Sequence, residues 1–213
     1  MQIPSSLEYQ CLTICRYTLH DHDASHRSEY RMSAQYENFL MFNITTKQQP
    51  LSFEEYPRLG SVFNIWDDWR GDRKAPPWEE VKLIELPVAL ISQTLVCDVV
   101  EGGKDYKYRF WGTGSVALYK HESTGRHLSE FGWSEELVAR TREQLAGVIS
   151  TQEPALYYSI FTTETGAVAN KVNLRMPLMD EPGLVTKIIT TFELYDLGMN
   201  PEEKLGGFTR NGE

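Results

Sequence analysis

The stretch Tyr106-Lys-Tyr-Arg-Phe-Trp-Gly-Thr113, followed closely by Thr124-Gly-Arg-His-Leu-Ser-Glu130, decides the fold. Tyr106, Tyr108 and Phe110 fall on one face of a period-two run, and Lys107, Arg109 and Trp111 fall on the other, until Gly112 ends the pattern. That alternation predicts a half-buried antiparallel strand that feeds a crossover. Upstream, Thr94 to Val100 is β-branched and apolar, and Glu101-Gly-Gly-Lys-Asp105 between the two runs carries two glycines free to take positive φ. The pair reads as a hairpin.

Three more strands are expected in the second half. Pro154 to Thr163 precedes the turn Glu164-Thr-Gly166, Val168 to Pro177 precedes Asp180-Glu-Pro-Gly183, and Val185 to Glu193 comes last. Between the halves, Ser134 is a candidate N-cap with acids in the first turn behind it, and Trp133 is placed to staple onto Val138. Leu137, Thr141, Leu145, Val148 and Ile149 mark the core-facing side of that helix. Leu59, Val62, Phe63, Trp66 and Trp69 recur at helical spacing, so Pro57 to Arg70 reads as an amphipathic helix stopped by Gly71.

These residues resemble the PAS sensor domains, and within them a subfamily of mostly stand-alone bacterial proteins. The matching elements are Trp66-Asp-Asp-Trp-Arg-Gly71 with Arg73 and Pro76, Leu95 to Val99, Tyr106 to Thr113, Thr124-Gly-Arg-His-Leu128, Pro154 and Met176-Pro-Leu178, within Leu59 to Leu194. The chain departs from the family pattern at Trp78-Glu-Glu80, where an aspartate-rich turn is expected, and at Pro87, which interrupts the short helix before the first strand. The resemblance implies an α+β fold: a five-stranded antiparallel sheet, crossover helices over one face, and a small cavity between them. It also implies a sensory or adaptor role in signal transduction, through a small ligand, a protein contact or both.

Domain organisation follows. Residues 52–196 are expected to form the sensor domain, 1–51 a poorly ordered segment without sustained period, and 197–213 a flexible polar tail. Met32 or Met41 could be the true start. A chain of 213 residues with a net charge of −9 and scattered Lys and Arg is unsuited to binding nucleic acid. No apolar run reaches the roughly 18 residues that span a bilayer, and the N-terminus has no signal-peptide pattern, so no membrane partner and a cytoplasmic location are expected. Three cysteines agree with a reducing compartment.

Cys11, Cys15, His20, His22 and His26 have ligand chemistry but loose, staggered spacing, so no metal is expected. Cys97 sits among Val96, Val99 and Val100 as a core cysteine, and Gly112-Thr-Gly-Ser115 lacks the last glycine of a nucleophile elbow, so no catalytic residue is expected. A flavin photoadduct of the PAS kind needs a crossover cysteine, and Gly114 to Glu153 has none. Haem would need His121 or His127, and His121 lies in a polar patch while His127 adjoins Arg126. Flavin and haem are therefore both disfavoured and the cofactor is left unassigned.

A cavity for a small organic ligand would be walled by Tyr108, Phe110, Val116, Leu118, Tyr119, Leu145, Ile149 and Tyr157. Asn173 and Arg175 alternate with Val172 and Leu174. They belong either to a solvated strand face or to the pocket, where Arg175 could clamp a carboxylate. Phe63, Trp66 and Trp69 either cover the protein's own sheet or make a contact with a signalling protein or a second copy in a homodimer. Arg126 is expected to fix the crossover by bonding backbone carbonyls or Glu130. The rival reading, a small-molecule enzyme on a similar scaffold, would draw its acid or base from Asp98, His127 or Glu164.

Overall fold

The computed structural model describes residues 42–162 and 168–195. In chain order the elements are β1 (Phe42–Gln49), α1 (Pro57–Arg70), α2 (Val88–Ile91), β2 (Thr94–Val100), β3 (Asp105–Trp111), α3 (Thr113–Tyr119), α4 (Glu135–Thr151), β4 (Ala155–Thr162), β5 (Val168–Leu178) and β6 (Lys187–Tyr195). Short 3-10 turns occur at Trp78–Glu80, Leu83–Glu85 and Leu128–Glu130.

All strands join one antiparallel sheet in the order β1-β4-β5-β6-β2-β3. The five expected strands are all present, and the regions before and after Pro154 meet where β6 pairs with β2. The sheet has six strands rather than five. The addition is β1, which pairs with β4 from Phe42↔Thr162 to Gln49↔Leu156 and moves the start of the fold upstream of Ser52. Its sequence, Phe-Asn-Ile-Thr-Thr-Lys-Gln-Gln, has few apolar residues because an edge strand covers little core.

The β2–β3 hairpin turns through three successive residues of positive φ, Glu101, Gly102 and Gly103. Its register carries a second irregularity with consequences for facing. Val96 pairs with Phe110 but Cys97 pairs with Tyr108, so Arg109 is an extra residue, a β-bulge. Tyr106 and Tyr108 share one face as expected. Beyond the bulge the alternation inverts: Trp111 joins Tyr108, and Phe110 moves to the opposite face beside Val96. The displaced Arg109 bonds Asp98 at 2.8 Å and lies 5.0 Å from the Trp78 ring centroid.

Each face of the sheet has its own helical cover. α1 and α2 lie against β5 and β6 on the face carrying Val96, Val172, Leu174, Met176 and Ile189. Leu59, Val62 and Trp66 are buried there, the Trp66 indole N–H donates to the Pro177 carbonyl at 3.0 Å, and Arg58 pairs with buried Glu193 at 2.9 Å. α4 lies over β5 and β1 on the other face. Its expected start is observed: the Ser134 hydroxyl accepts from the Leu137 N–H, and Leu137, Thr141, Leu145 and Val148 are buried. Gln144 is buried with them.

The crossover is tied to the outer edge of β3. The Tyr108 N–H donates to the Arg126 carbonyl and the Gly125 N–H to the Tyr108 carbonyl, at 3.0 and 2.6 Å. Arg126 bonds the Glu130 carbonyl and lies over Phe131, which is the structural role expected of it. Asp105 collects the Ser129 hydroxyl, His127 and Arg142. Burial disfavours its ionised form, but bonds from Ser129 and the Tyr106 N–H, helped by Arg142, outweigh this and hold the carboxyl below its usual range.

Gly112 explains how the chain leaves the sheet. A Cβ there would lie 2.3 Å from the Ser92 carbonyl oxygen, and one on Gly114 would lie 2.8 Å from it. The close approach lets the Gly112 N–H reach the Thr94 carbonyl and the Gly114 N–H reach Ser92. Among the described residues no helix is long and apolar enough to cross a membrane.

Candidate functional site

The strands place an unusual set of side chains beneath α4. In β5, Lys171, Asn173 and Arg175 occupy alternate positions and therefore share a face; each is more than nine-tenths buried. Register brings Ser159 opposite Lys171, Tyr157 opposite Asn173 and Thr190 opposite Arg175. From above, α4 contributes Leu137, Arg140, Thr141 and Gln144, which recur at the three- and four-residue spacing of one helix face. β1 closes the side with Ile44 and Thr46.

The result is a polar cleft. Its inner space open to the centre of a water molecule is about 20 Å3, room for one water or a group of similar size, and it is partly open to solvent. Arg175 donates from Nε to the Gln144 side-chain oxygen and from Nη1 to the Thr190 hydroxyl, both at 3.0 Å. Lys171 donates to the Tyr119 hydroxyl at 2.7 Å and stands over the rings of Tyr119 and Phe192 at 5.3 and 5.7 Å. Ser159 and Thr46 bond each other at 2.9 Å. Tyr157 donates to the Gln144 carbonyl at 3.3 Å, and its hydroxyl is pushed above its usual pKa chiefly by burial.

Beside the cleft the crossover builds an aromatic cluster. Tyr108, Trp111, Tyr119, Phe131 and Trp133 pack with ring centroids 4.7–6.2 Å apart, and His121 joins them. The His121 Nδ1 atom bonds the Tyr119 carbonyl at 2.7 Å, and burial, reinforced by Arg126, lowers its pKa. Trp111 Nε1, Trp133 Nε1 and His121 Nε2 are buried without a partner among the described residues. Tyr119 connects the two regions, stacking on Trp133 while accepting from Lys171.

The expected ligand residues separate into three groups. Asn173 and Arg175 line the cleft and are buried rather than solvated, with Tyr119 and Tyr157 bonded at its margins. Tyr108 and Leu145 are fully packed core, and Ile149 is half-buried against the hairpin turn at Gly103. Phe110 is on the other side of the sheet, moved there by the Arg109 bulge, and is not a wall of this space. The space beneath α4 is lined by polar side chains together with Ile44, Leu137 and Phe161. Lys171, Thr141, Gln144, Ser159 and Thr190 were missed; Lys171 continues the Asn173 and Arg175 alternation by one step and was readable on that ground.

Of the interface candidates, Trp66 and Trp69 are buried within the protein, with the Trp69 indole donating to Glu85 at 2.8 Å, while Phe63 is half-buried against Phe53 and Trp66. Asp98 is engaged by Arg109 and His127 by Asp105, on separate parts of the sheet. Cys97 is fully buried, which pushes its thiol up to about 12, as befits a core cysteine. Among the described residues no cluster could hold a metal ion. Cys11, Cys15, His20, His22, His26 and Glu164 lie outside them, as do the expected disordered leader before residue 42 and the tail 197–213. Comparison with known protein families and with curated proteins returned no match.

Proposed function

We propose that this protein is a PAS-type sensory or adaptor module, which binds a small ligand between α4 and the sheet and passes the change to a partner protein by contact. The observation that carries the reading is the pairing of β6 with β2, which closes two strands, a helical crossover and three strands into one sheet with the crossover laid over one face. Polar side chains buried beneath that cover supply a place for a ligand.

The opposite face supplies a route out. β5 carries Arg175 on the α4 side, and two residues on the Pro177 carbonyl receives the Trp66 indole of α1. A shift of β5 on ligand binding therefore reaches α1 through one strand, with a coupling of about 1–3 kcal/mol as the ordinary range for such linkage. A signalling protein or a second copy of the chain would read α1 at its outer side, where Phe63 is partly open.

Native mass spectrometry of the purified protein, run beside an absorption scan, tests the reading. A bound small mass with no visible chromophore supports it, and the charge-state series gives the subunit number. A Soret or flavin band would replace the ligand part of the reading by a cofactor sensor. Turnover of a small metabolite without any change in α1 would favour an enzyme.

A further inference from the structure

The cleft beneath α4 contains two buried cations and no carboxylate. Lys171 and Arg175 are each 6% exposed, and among the described residues neither lies within ion-pair distance of an acid. Their observed acceptors, Tyr119, Gln144 and Thr190, are all neutral. Lysine has three N–H donors and arginine five, so these bonds leave donors over on both. Arg140 at the rim is paired with Glu143 at 3.1 Å, so that carboxylate compensates the rim and not the interior.

Unpaired donors converge on the same space. The Asn173 amide is 3% exposed and the Thr141 hydroxyl group belongs to a residue 7% exposed; both line the cleft, and neither has a hydrogen-bond partner among the described residues. A buried charge without a counter-charge is strongly disfavoured unless something of opposite sign is placed beside it. Ring faces of Tyr119 and Phe192 partly offset the Lys171 ammonium but leave Arg175 untouched.

The geometry points to a small-anion site: Lys171, Asn173 and Arg175, with Thr141 from α4, bind a monoanion the size of formate or nitrate, either free or as the carboxylate end of a longer ligand whose body extends toward solvent. Space for about one water molecule sets the size of the charged group. Arg175 spends Nε and Nη1 on Gln144 and Thr190 and so offers the anion its remaining edge, while Lys171 supplies a rotatable point charge. Gln144 holds both Arg175 and, through its carbonyl, Tyr157, which makes α4 the element that would feel the anion arrive. The inference rests on the sensor reading for its biological meaning, whereas the electrostatic argument stands on the cleft alone.

The test is thermal unfolding of the full chain at constant ionic strength, with sodium gluconate as the bulky reference salt and formate, nitrate or butyrate replacing it. Formate is expected to raise Tm by about 3–6 °C at ten times its Kd, with the shift growing logarithmically at higher concentration. A free-anion site responds to formate and nitrate and not to butyrate; a carboxylate-head site responds to butyrate at least as well as to formate. Lys171→Met should abolish the response yet be no less stable than wild type in gluconate, because it removes an uncompensated buried cation. Asn173→Asp places a carboxylate in the cleft and should raise Tm in gluconate while removing the formate response. No shift of Tm in formate beyond that in gluconate for wild type, or the same shift in wild type and Asn173→Asp, would overturn the site. A formate-dependent shift with no accompanying change in hydrogen exchange at α1 would keep the anion site and remove the sensor reading.

Discussion

Replacing Trp66 by alanine is the most informative perturbation of the fold, because Trp66 is where α1 is fastened to the sheet. Its side chain is 2% exposed and its indole N–H donates to the Pro177 carbonyl of β5. Truncation removes the buried indole and leaves a cavity, which together cost about 3–5 kcal/mol. It also strands the Pro177 carbonyl, adding roughly 1 kcal/mol. Against a total stability of about 5–15 kcal/mol for an ordinary domain, this is about a quarter or more of what holds the protein folded. At about 2–4 °C per kcal/mol for a chain of this length, Tm should fall by roughly 8–24 °C. Trp66→Phe separates the two contributions, keeping most of the apolar volume and losing the hydrogen bond, and should cost about 1–2 kcal/mol. Urea unfolding followed by circular dichroism, with sedimentation analysis of each variant, measures both stability and self-association. If Trp66→Ala stays within about 1 kcal/mol of wild type but loses a dimer, the indole serves a partner and the packing of α1 on its own sheet is refuted.

Gly112→Ala forces a methyl group onto the Ser92 backbone, whose carbonyl oxygen lies 2.3 Å from the ideal Cβ, and should cost about 1–3 kcal/mol or more by denaturant unfolding; Gly183→Ala, with nothing within 4 Å of its Cβ but a φ of 78°, gives a strain-only comparison. Arg126→Ala removes the bond to the Glu130 carbonyl and the contact with Phe131, and should lower stability by about 1 kcal/mol equally in formate and in gluconate. The Asp105 carboxyl has a depressed folded pKa, so its stabilisation is complete above the unfolded value of about 3.9 and is lost as pH falls through the lower folded value. Asp105→Asn should therefore be less stable than wild type at neutral pH, with the gap closing in acid below about pH 4. In a background with Cys11 and Cys15 changed to serine, Cys97 should resist a thiol reagent at pH 8 until the protein unfolds, since burial pushes its pKa up to about 12.

Much of this fold was legible because alternation and turn chemistry are local. Pro57–Arg70 with its stop at Gly71 matches the expected helix, and the strands around Tyr106, Tyr158, Leu174 and Ile189 fall within a few residues of their expected limits. What escaped depends on pairing between distant segments. The Arg109 bulge is defined by Val96 and Cys97 across the ladder, so period two read along β3 alone assigned Phe110 and Trp111 to the wrong faces. β1 escaped because its burial comes from β4 and α4, and its own residues are largely polar.

The site was half legible for a related reason. Asn173 and Arg175 could be placed on one strand face, but a polar face is ordinarily solvated, and only the position of α4 turns it inward. Gln144 neighbours Leu145 in sequence, and a helix read for its apolar stripe passes over the polar residue at the stripe's edge. Trp133 also packs on Tyr119, with ring centroids 4.7 Å apart, a contact between separate elements of the crossover that a local helix-start pattern does not show.

Amide hydrogen exchange of the full chain in formate and in gluconate tests the central claim, that occupancy of the α4–β5 cleft is transmitted through the sheet to α1. The account predicts that formate increases protection in residues 135–151 and 168–178 and that residues 57–70 change with them. Protection confined to the cleft, or none in either region, would contradict it.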